Sequence, residues 1–142
     1  MKSSHLVIVL LAYLALLSGC IVYVDEDDGA QDVVYNYSPE ILVDPTWWAC
    51  DYDWTVDDHF FEFQAGVEDL DGSDDVALVS VSLYEAGTDY LVDSFGLYPE
   101  GDGIWGGLVW ESESYAICGE ALDVLVEAMD HHEAWDALWL LY

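Results

Sequence analysis

The chain has 142 residues, of which 30 are Asp or Glu and only one, Lys2, is basic, so its formal net charge is −29 at pH 7. Hydrophobic residues make up 54% of it and aromatic residues 15%, which is too apolar for a disordered chain, and the length allows one domain. Nucleic acid binding is excluded, because affinity for a phosphate backbone comes from Lys and Arg. Repulsion among so many carboxylates favours bound cations in the folded protein.

The first 20 residues have the layout of a signal peptide. Lys2 is followed by an unbroken apolar run over residues 6–17 and then by Leu-Ser-Gly-Cys at residues 17–20. This tetrapeptide resembles the lipobox of bacterial lipoproteins, in which the cysteine receives diacylglycerol before cleavage. The resemblance implies a signal peptide over residues 1–19, acyl chains on Cys20, and a mature chain held outside the cytoplasm at a bacterial membrane.

An uncleaved anchor is the alternative for this segment. Residues 21–24 extend the apolar stretch to residues 6–24, which is just long enough to span a bilayer as a helix. In both cases Lys2 stays inside and the acidic part lies outside.

Two cysteines, Cys50 and Cys118, remain once Cys20 is assigned to lipid. In a compartment that permits oxidation, pairing them leaves no free thiol. Closing a loop of this length stabilises the folded state by about 4 kcal/mol in the chain-entropy model. Neither cysteine lies in a CxxC pair or has a basic neighbour that lowers a thiol pKa, which argues against a catalytic or metal role. The sequence therefore predicts a Cys50–Cys118 disulfide.

Residues 20–46 are typical of an acidic tether, because they contain the cluster Asp-Glu-Asp-Asp at residues 25–28 and two prolines. This tether has room for one added strand. The compact domain is predicted to occupy residues 47–142.

Alternation of apolar and polar residues is the main signal within that domain, and it indicates half-buried strands. Three runs place apolar residues on one side of a strand: Phe61, Phe63, Ala65 and Val67; Ala77, Val79, Val81 and Leu83; Leu122, Val124, Val126 and Ala128. Two further strands, residues 90–98 and 104–110, are predicted to form a hairpin around the turn Pro-Glu-Gly-Asp-Gly at residues 99–103.

Residues 120–142 fit two templates, since a helix explains their apolar spacing nearly as well as strands do. We expect strands at residues 122–128 and 135–142, because short alternating runs broken by Gly and Asp are typical of a sandwich. The predicted fold class is therefore all-β, with a single antiparallel β-sandwich.

The domain resembles the immunoglobulin-like β-sandwiches of bacterial surface proteins. The resemblance rests on the acidic phrase at residues 67–76, the strand at residues 77–84 that follows it, and the late phrase at residues 124–130. It implies an immunoglobulin-like module of the kind that serves as a spacer, an adhesive domain or a carbohydrate-associated domain, in some cases with calcium. Cys50 precedes the first predicted strand, so the antibody-type disulfide between two central strands is not expected.

An acidic turn is the main candidate for a metal site, with Ca²⁺ as the candidate ion. Carboxylates gather on a loop that contains Gly72, as a hard, oxygen-seeking ion requires, and Asp130 joins them if the last turn lies at the same end. The predicted ligands are Asp69, Asp71, Asp74, Asp75 and Asp130. The spacing does not match an EF-hand, and a solvated β-turn is the alternative interpretation.

The histidines are not expected to be catalytic. His131 and His132 lie between Asp130 and Glu133, and imidazole and carboxylate groups are ligands of zinc. Adjacent residues on a strand point to opposite faces, however, which prevents chelation of one ion, so an exposed turn is the preferred interpretation. His59, beside two Asp residues, is interpreted as a strand-edge residue. No nucleophile elbow, zinc-protease motif or phosphate loop occurs, and the sequence predicts no enzyme.

Two functions from different classes follow from the sequence. The first is a non-enzymatic, membrane-anchored surface lipoprotein with a structural or interaction role. The second is a small ligand-binding module for carbohydrate or a divalent metal, and for a sugar it would use an aromatic cluster: Trp47, Trp48, Tyr52 and Trp54. The partner would be a protein or a carbohydrate.

Overall fold

The computed structural model describes residues 21–24 and 33–141, with side chains from residue 35 onward. The predicted signal peptide and Cys20 lie outside this part of the chain. Within it, no helix combines the length and the apolar character needed to cross a bilayer.

Strands account for most of the described residues. In chain order they are β1 (Ile21–Val24), β2 (Val33–Asn36), β3 (Glu40–Asp53), β4 (Asp58–Glu68), β5 (Val76–Glu85), β6 (Leu91–Gly96), β7 (Tyr98–Gly101), β8 (Ile104–Trp110), β9 (Leu122–Asp130) and β10 (Trp135–Leu140). Short 3₁₀ turns at Ser73–Asp75 and Glu111–Glu113 precede β5 and follow β8.

Eight of these strands form two four-stranded antiparallel sheets. One has the order β3-β4-β8-β7 and is called the β4 sheet; the other has the order β10-β9-β5-β6 and is called the β5 sheet. If β3 is labelled A and the lettering follows the chain, these orders are A-B-E-D and G-F-C-C′, as in immunoglobulin-like sandwiches. The prediction of an all-β, immunoglobulin-like antiparallel sandwich is confirmed.

Side chains from both sheets meet in one core. Phe63 of the β4 sheet lies 6.0 Å, between ring centroids, from Phe95 of the β5 sheet. Eleven of the predicted inward residues are buried: Phe61, Phe63, Ala65, Val67, Val79, Val81, Leu83, Leu122, Val124, Val126 and Ala128. The period-2 alternation therefore identified the inner faces of β4, β5 and β9.

Ala77 is the exception, because it is exposed. The pairing of β5 with β9 shifts between Val76 and Leu78, so that Val76, only 7% exposed, enters the core in its place. A bulge inserts an unpaired residue and so changes the phase of the alternation.

The predicted hairpin between residues 90–98 and 104–110 is wrong. β6 pairs with β5 rather than with β8, and the short β7 forms the hairpin with β8, across a turn at residues 102–103. The chain passes from one sheet to the other at Leu97, whose side chain is 5% exposed and whose N–H donates to the carbonyl of Val79. Residues 90–98 look like one strand in the sequence, but the burial of Leu97 divides them between β6 and β7.

The boundary predicted between residues 46 and 47 falls inside β3, which begins at Glu40. Residues 40–46 were assigned to the tether because of Pro45, and the pairing of β3 with β4 is interrupted between Leu42 and Trp47, where this proline lies. Its early part is already integrated in the domain, since Ile41 is 6% exposed and its N–H donates to Asp136 of β10.

Residues 122–130 and 135–140 are strands, as preferred over the helical alternative. Cys50 and Cys118 form the predicted disulfide, with their Cα atoms 5.8 Å apart. Cys50 lies on β3 rather than before the first strand, and Cys118 lies in the connection from β8 to β9. The bridge therefore differs from the antibody type, which joins the strands that correspond to β4 and β9.

Candidate metal centre

The predicted acidic turn lies at one end of the sandwich, where three segments meet. They are the β4–β5 loop at residues 69–75, the β9–β10 turn at residues 131–134, and residues 36–39, which lead into β3. The N–H of His131 donates to the carbonyl of Asp75 at 2.9 Å, which holds the turn against the loop. The last turn therefore lies at the same end as the acidic loop.

Three of the predicted carboxylates converge in this loop. One oxygen from each of Asp69, Asp71 and Asp75 lies within 4.8 Å of the others. The loop is folded back by its own backbone, because the N–H of Gly72 donates to the carbonyl of Asp69 and the N–H of Asp75 donates to that of Gly72. Gly72 has a φ of 119°, a conformation that glycine adopts without strain.

Two carboxylate oxygens in the cluster are buried without a hydrogen-bond donor. They are Oδ2 of Asp69 and Oδ2 of Asp75. A buried acceptor without a partner costs about 1–3 kcal/mol, and more when it is charged. A cation between the two side chains would remove this cost, since it replaces the missing donors.

Burial raises the pKa of Asp69 above its ordinary value of 3.8, and the negative charges of Asp71, Asp75 and Asp130 raise it further. The N–H of Asp71, which donates to Oδ1 of Asp69 at 2.8 Å, acts in the opposite direction on this pKa. Desolvation is therefore the largest effect on this pKa, and repulsion from the neighbouring carboxylates adds to it. A divalent cation reverses the sign of this interaction.

Asp74 and Asp130 do not belong to the converging group. Asp74 is exposed on the 3₁₀ turn. Asp130 is 1% exposed, and its Oδ1 accepts from the N–H groups of His132 and Ala134, both at 2.8 Å. Its Oδ2 accepts from the side-chain amide of Asn36 at 2.6 Å. Asp130 thus anchors the β9–β10 turn, while its charge acts on Asp69 from nearby.

Residues 36 and 37 are the part of the site that the sequence did not reveal. Besides the contact of Asn36 with Asp130, the N–H of Tyr37 donates to Oδ2 of Asp71 at 2.6 Å. An isolated Asn-Tyr pair in an acidic, tether-like segment carries no pattern that predicts such contacts. Asp130 and Asp71 therefore hold residues 36 and 37, which lead into β3, against this end of the sandwich.

The histidines lie outside the converging group. His131 and His132 are exposed in the β9–β10 turn, as interpreted from the sequence. His59 is exposed at the start of β4, where its ring lies 4.8 Å from that of Tyr52. The group of candidate ligands in the described part of the chain consists of aspartates alone.

The four aromatic residues expected to cluster do not lie together, since Trp47 and Trp48 are on opposite faces of β3 and the other two are at the β3–β4 turn. Trp48 packs against the core, whereas Trp47 is on the outer face of the β4 sheet. Tyr52 and Trp54 lie together at the β3–β4 turn with ring centroids 4.6 Å apart, and Trp54 is 87% exposed.

Oxygen ligands alone favour Ca²⁺ or Mg²⁺ over transition metals. Ca²⁺ accepts flexible geometry with six to eight oxygens, so three carboxylates completed by carbonyls and water suit it better than the octahedron that Mg²⁺ demands. Comparison of the chain with protein-family models, curated proteins and solved structures found no significant match.

Proposed function

We propose that the chain is a lipid-anchored, extracytoplasmic surface protein without enzymatic activity, whose sandwich has a structural or interaction role and is stabilised by Ca²⁺. The observation that carries the calcium part is the pair of buried, unpartnered oxygens on Asp69 and Asp75, which lie in a group of three converging carboxylates.

A cation at this position would be structural because of what its ligands hold. Asp71 accepts the N–H of Tyr37, and the carbonyl of Asp75 accepts the N–H of His131. An ion shared by these aspartates would connect the β4–β5 loop to the chain that enters the domain and to the β9–β10 turn. Its binding free energy would then add to the stability of the fold.

Two observations support a location outside the cytoplasm. Disulfides persist in oxidising compartments, and Cys50 and Cys118 form one in the sandwich. Leu-Ser-Gly-Cys follows an apolar run at the position where a lipoprotein signal peptide is cleaved.

Thermal denaturation of the full-length chain in a non-ionic detergent tests the calcium proposal. We expect the melting temperature to rise on addition of about 1 mM CaCl₂, relative to EDTA at matched ionic strength. Asp75→Asn should abolish this rise. Asp74→Asn, which makes the same charge change at the neighbouring exposed residue, should retain it. Equal responses of the two variants, or no rise in the wild type, would contradict the proposal.

Replacement of Cys20 by Ser tests the anchor. We expect loss of processing and of acyl incorporation in the variant, because the lipid is attached to the Cys20 sulfur. Unchanged size and unchanged membrane partitioning would instead indicate the uncleaved anchor.

Carbohydrate binding is the second candidate function, and the exposure of Trp54 favours it. Its indole is 87% exposed beside Tyr52 at the β3–β4 turn, where a ring face can stack on a sugar. A glycan array probed with the wild-type chain and with Trp54→Ala checks this function, which requires binding that the variant loses.

A further inference from the structure

The outer face of the β4 sheet carries a groove bounded by aromatic side chains. Trp47, Gln64, Gly106 and Tyr98 lie directly opposite one another on four neighbouring strands. Directly opposed residues share a face of the sheet, so the two aromatic rings stand at the ends of one row with small or polar residues between them. Trp47 is 39% exposed and Tyr98 is 75% exposed.

Gly106, in the middle of this row, leaves room for the carboxylate of Glu100. A Cβ atom at Gly106 would collide with that carboxylate, so Glu100 lies over the glycine. The groove has a volume of about 290 Å³ and is also lined by Glu62 and Leu108 of the adjacent row. That volume suits one long side chain better than an oligosaccharide.

Two carboxylates of the groove have no Lys or Arg to pair with in the described part of the chain. Glu62 is diagonal to Gly106 across β4 and β8 and lines the same groove as Glu100, so the groove holds two negative charges. The only basic residue of the chain apart from histidine is Lys2, in the predicted leader. A cation that enters the groove therefore has to come from another molecule.

We propose that this groove receives an arginine side chain from a protein partner. A guanidinium group is planar, so it stacks on the indole of Trp47 while it donates two parallel hydrogen bonds to the carboxylate of Glu100. Lysine offers neither the plane nor the paired donors. A second copy of this chain is not the partner, because it contains no arginine.

The test is a titration of the full-length chain, in a non-ionic detergent, with a blocked Gly-Gly-Arg-Gly-Gly peptide, followed by NMR of the tryptophan indole N–H groups. The control peptide carries citrulline, which has the shape of arginine without its charge. We expect the arginine peptide to shift the Trp47 resonance and the citrulline peptide to bind at least about fivefold more weakly. Equal affinities for the two peptides would overturn the proposal.

Matched variants distinguish binding of the peptide in the groove from general electrostatic attraction of the peptide to the acidic surface. Trp47→Ala removes one wall without changing the charge, and we expect it to weaken binding about two- to fivefold. Trp135→Ala, the same substitution at a residue of β10 that is 65% exposed and lies outside the groove, should leave the affinity unchanged, and Trp47→Phe should restore part of it.

Glu100→Gln should weaken binding more than Glu113→Gln, which removes the same charge from an exposed residue outside the groove. Equal losses in these matched pairs, in proteins whose far-ultraviolet circular dichroism is unchanged, would mean that the peptide binds by net charge alone and would refute the groove.

Discussion

The backbone N–H of Tyr37 donates to the side chain of Asp71 at 2.6 Å, across 34 positions of the sequence. This contact fixes the chain just before β3 to the loop between β4 and β5. Because Asp71 is also a member of the converging carboxylate group, the state of that group affects the entry segment directly.

The first prediction follows from this contact. Asp71→Ala should accelerate hydrogen exchange of the Tyr37 amide, because the variant removes its acceptor. Asp74→Ala serves as the control, since Asp74 is exposed and lies outside the group. Exchange measured by mass spectrometry on peptides covering residues 36–41 checks the prediction. Identical exchange in both variants would argue against the hydrogen bond.

The second prediction concerns the disulfide. Replacing Cys50 and Cys118 together by Ala should lower the free energy of unfolding by about 2–5 kcal/mol, because a long loop is no longer closed in the unfolded chain. Little packing is lost with it, since Cys50 is exposed and Cys118 only partly buried. Urea unfolding measures the change. A reducing agent should destabilise the wild type and have no effect on the double variant.

The third prediction tests the register of β5 in the sandwich. Leu83→Ala should destabilise the fold by about 2–5 kcal/mol, because its side chain is 0% exposed in the core. Leu78→Ala on the same strand should cost less than about 1 kcal/mol, since Leu78 is 45% exposed on the outer face. Urea unfolding of both variants gives the comparison, and equal costs would show that β5 faces the core differently.

The fourth prediction concerns the pKa of Asp58. The hydroxyl of Ser112 donates to Oδ2 of Asp58 at 2.6 Å, and this hydrogen bond lowers the pKa below the ordinary value of 3.8. A lowered pKa in the folded state stabilises the fold above pH 3.8, and that contribution is lost as the pH falls through the folded pKa.

Ser112→Ala should therefore raise the pKa of Asp58 towards 3.8, and carboxyl ¹³C NMR titration measures the change directly. The pKa of Asp53, which the hydroxyl and N–H of Thr55 lower, should stay where it is and provides an internal control. If the pKa of Asp58 does not move, Ser112 is not its donor.

Strands with uninterrupted alternation were predictable from the sequence. Val124 and Val126 of β9 point into the core, as their spacing indicates, and each is at most 2% exposed. The sequence also grouped Asp69, Asp71 and Asp75, because all three lie within one short loop. In these cases the information that determines the structure is local.

Features that depend on distant contacts were not predictable in this way. Pro45 interrupts the pairing of β3 and hides that strand, and burial of Leu97 directs β6 and β7 into different sheets. Asn36 joins Asp130 across 94 positions of sequence, and neither residue indicates the other. Only the assembled sandwich brings such pairs together.

The position of the Cys50–Cys118 bridge also determines how the domain responds to a mechanical load. A pull on the N-terminal end would peel β3 away from β4 one residue pair at a time, beginning at Glu40. Peeling would stop at Cys50, because the covalent link passes the force to the connection that precedes β9. The polypeptide from β4 to β8 is thereby shielded from extension, and on the N-terminal side of the bridge the first part of β3 is the portion of the two sheets that extends under load.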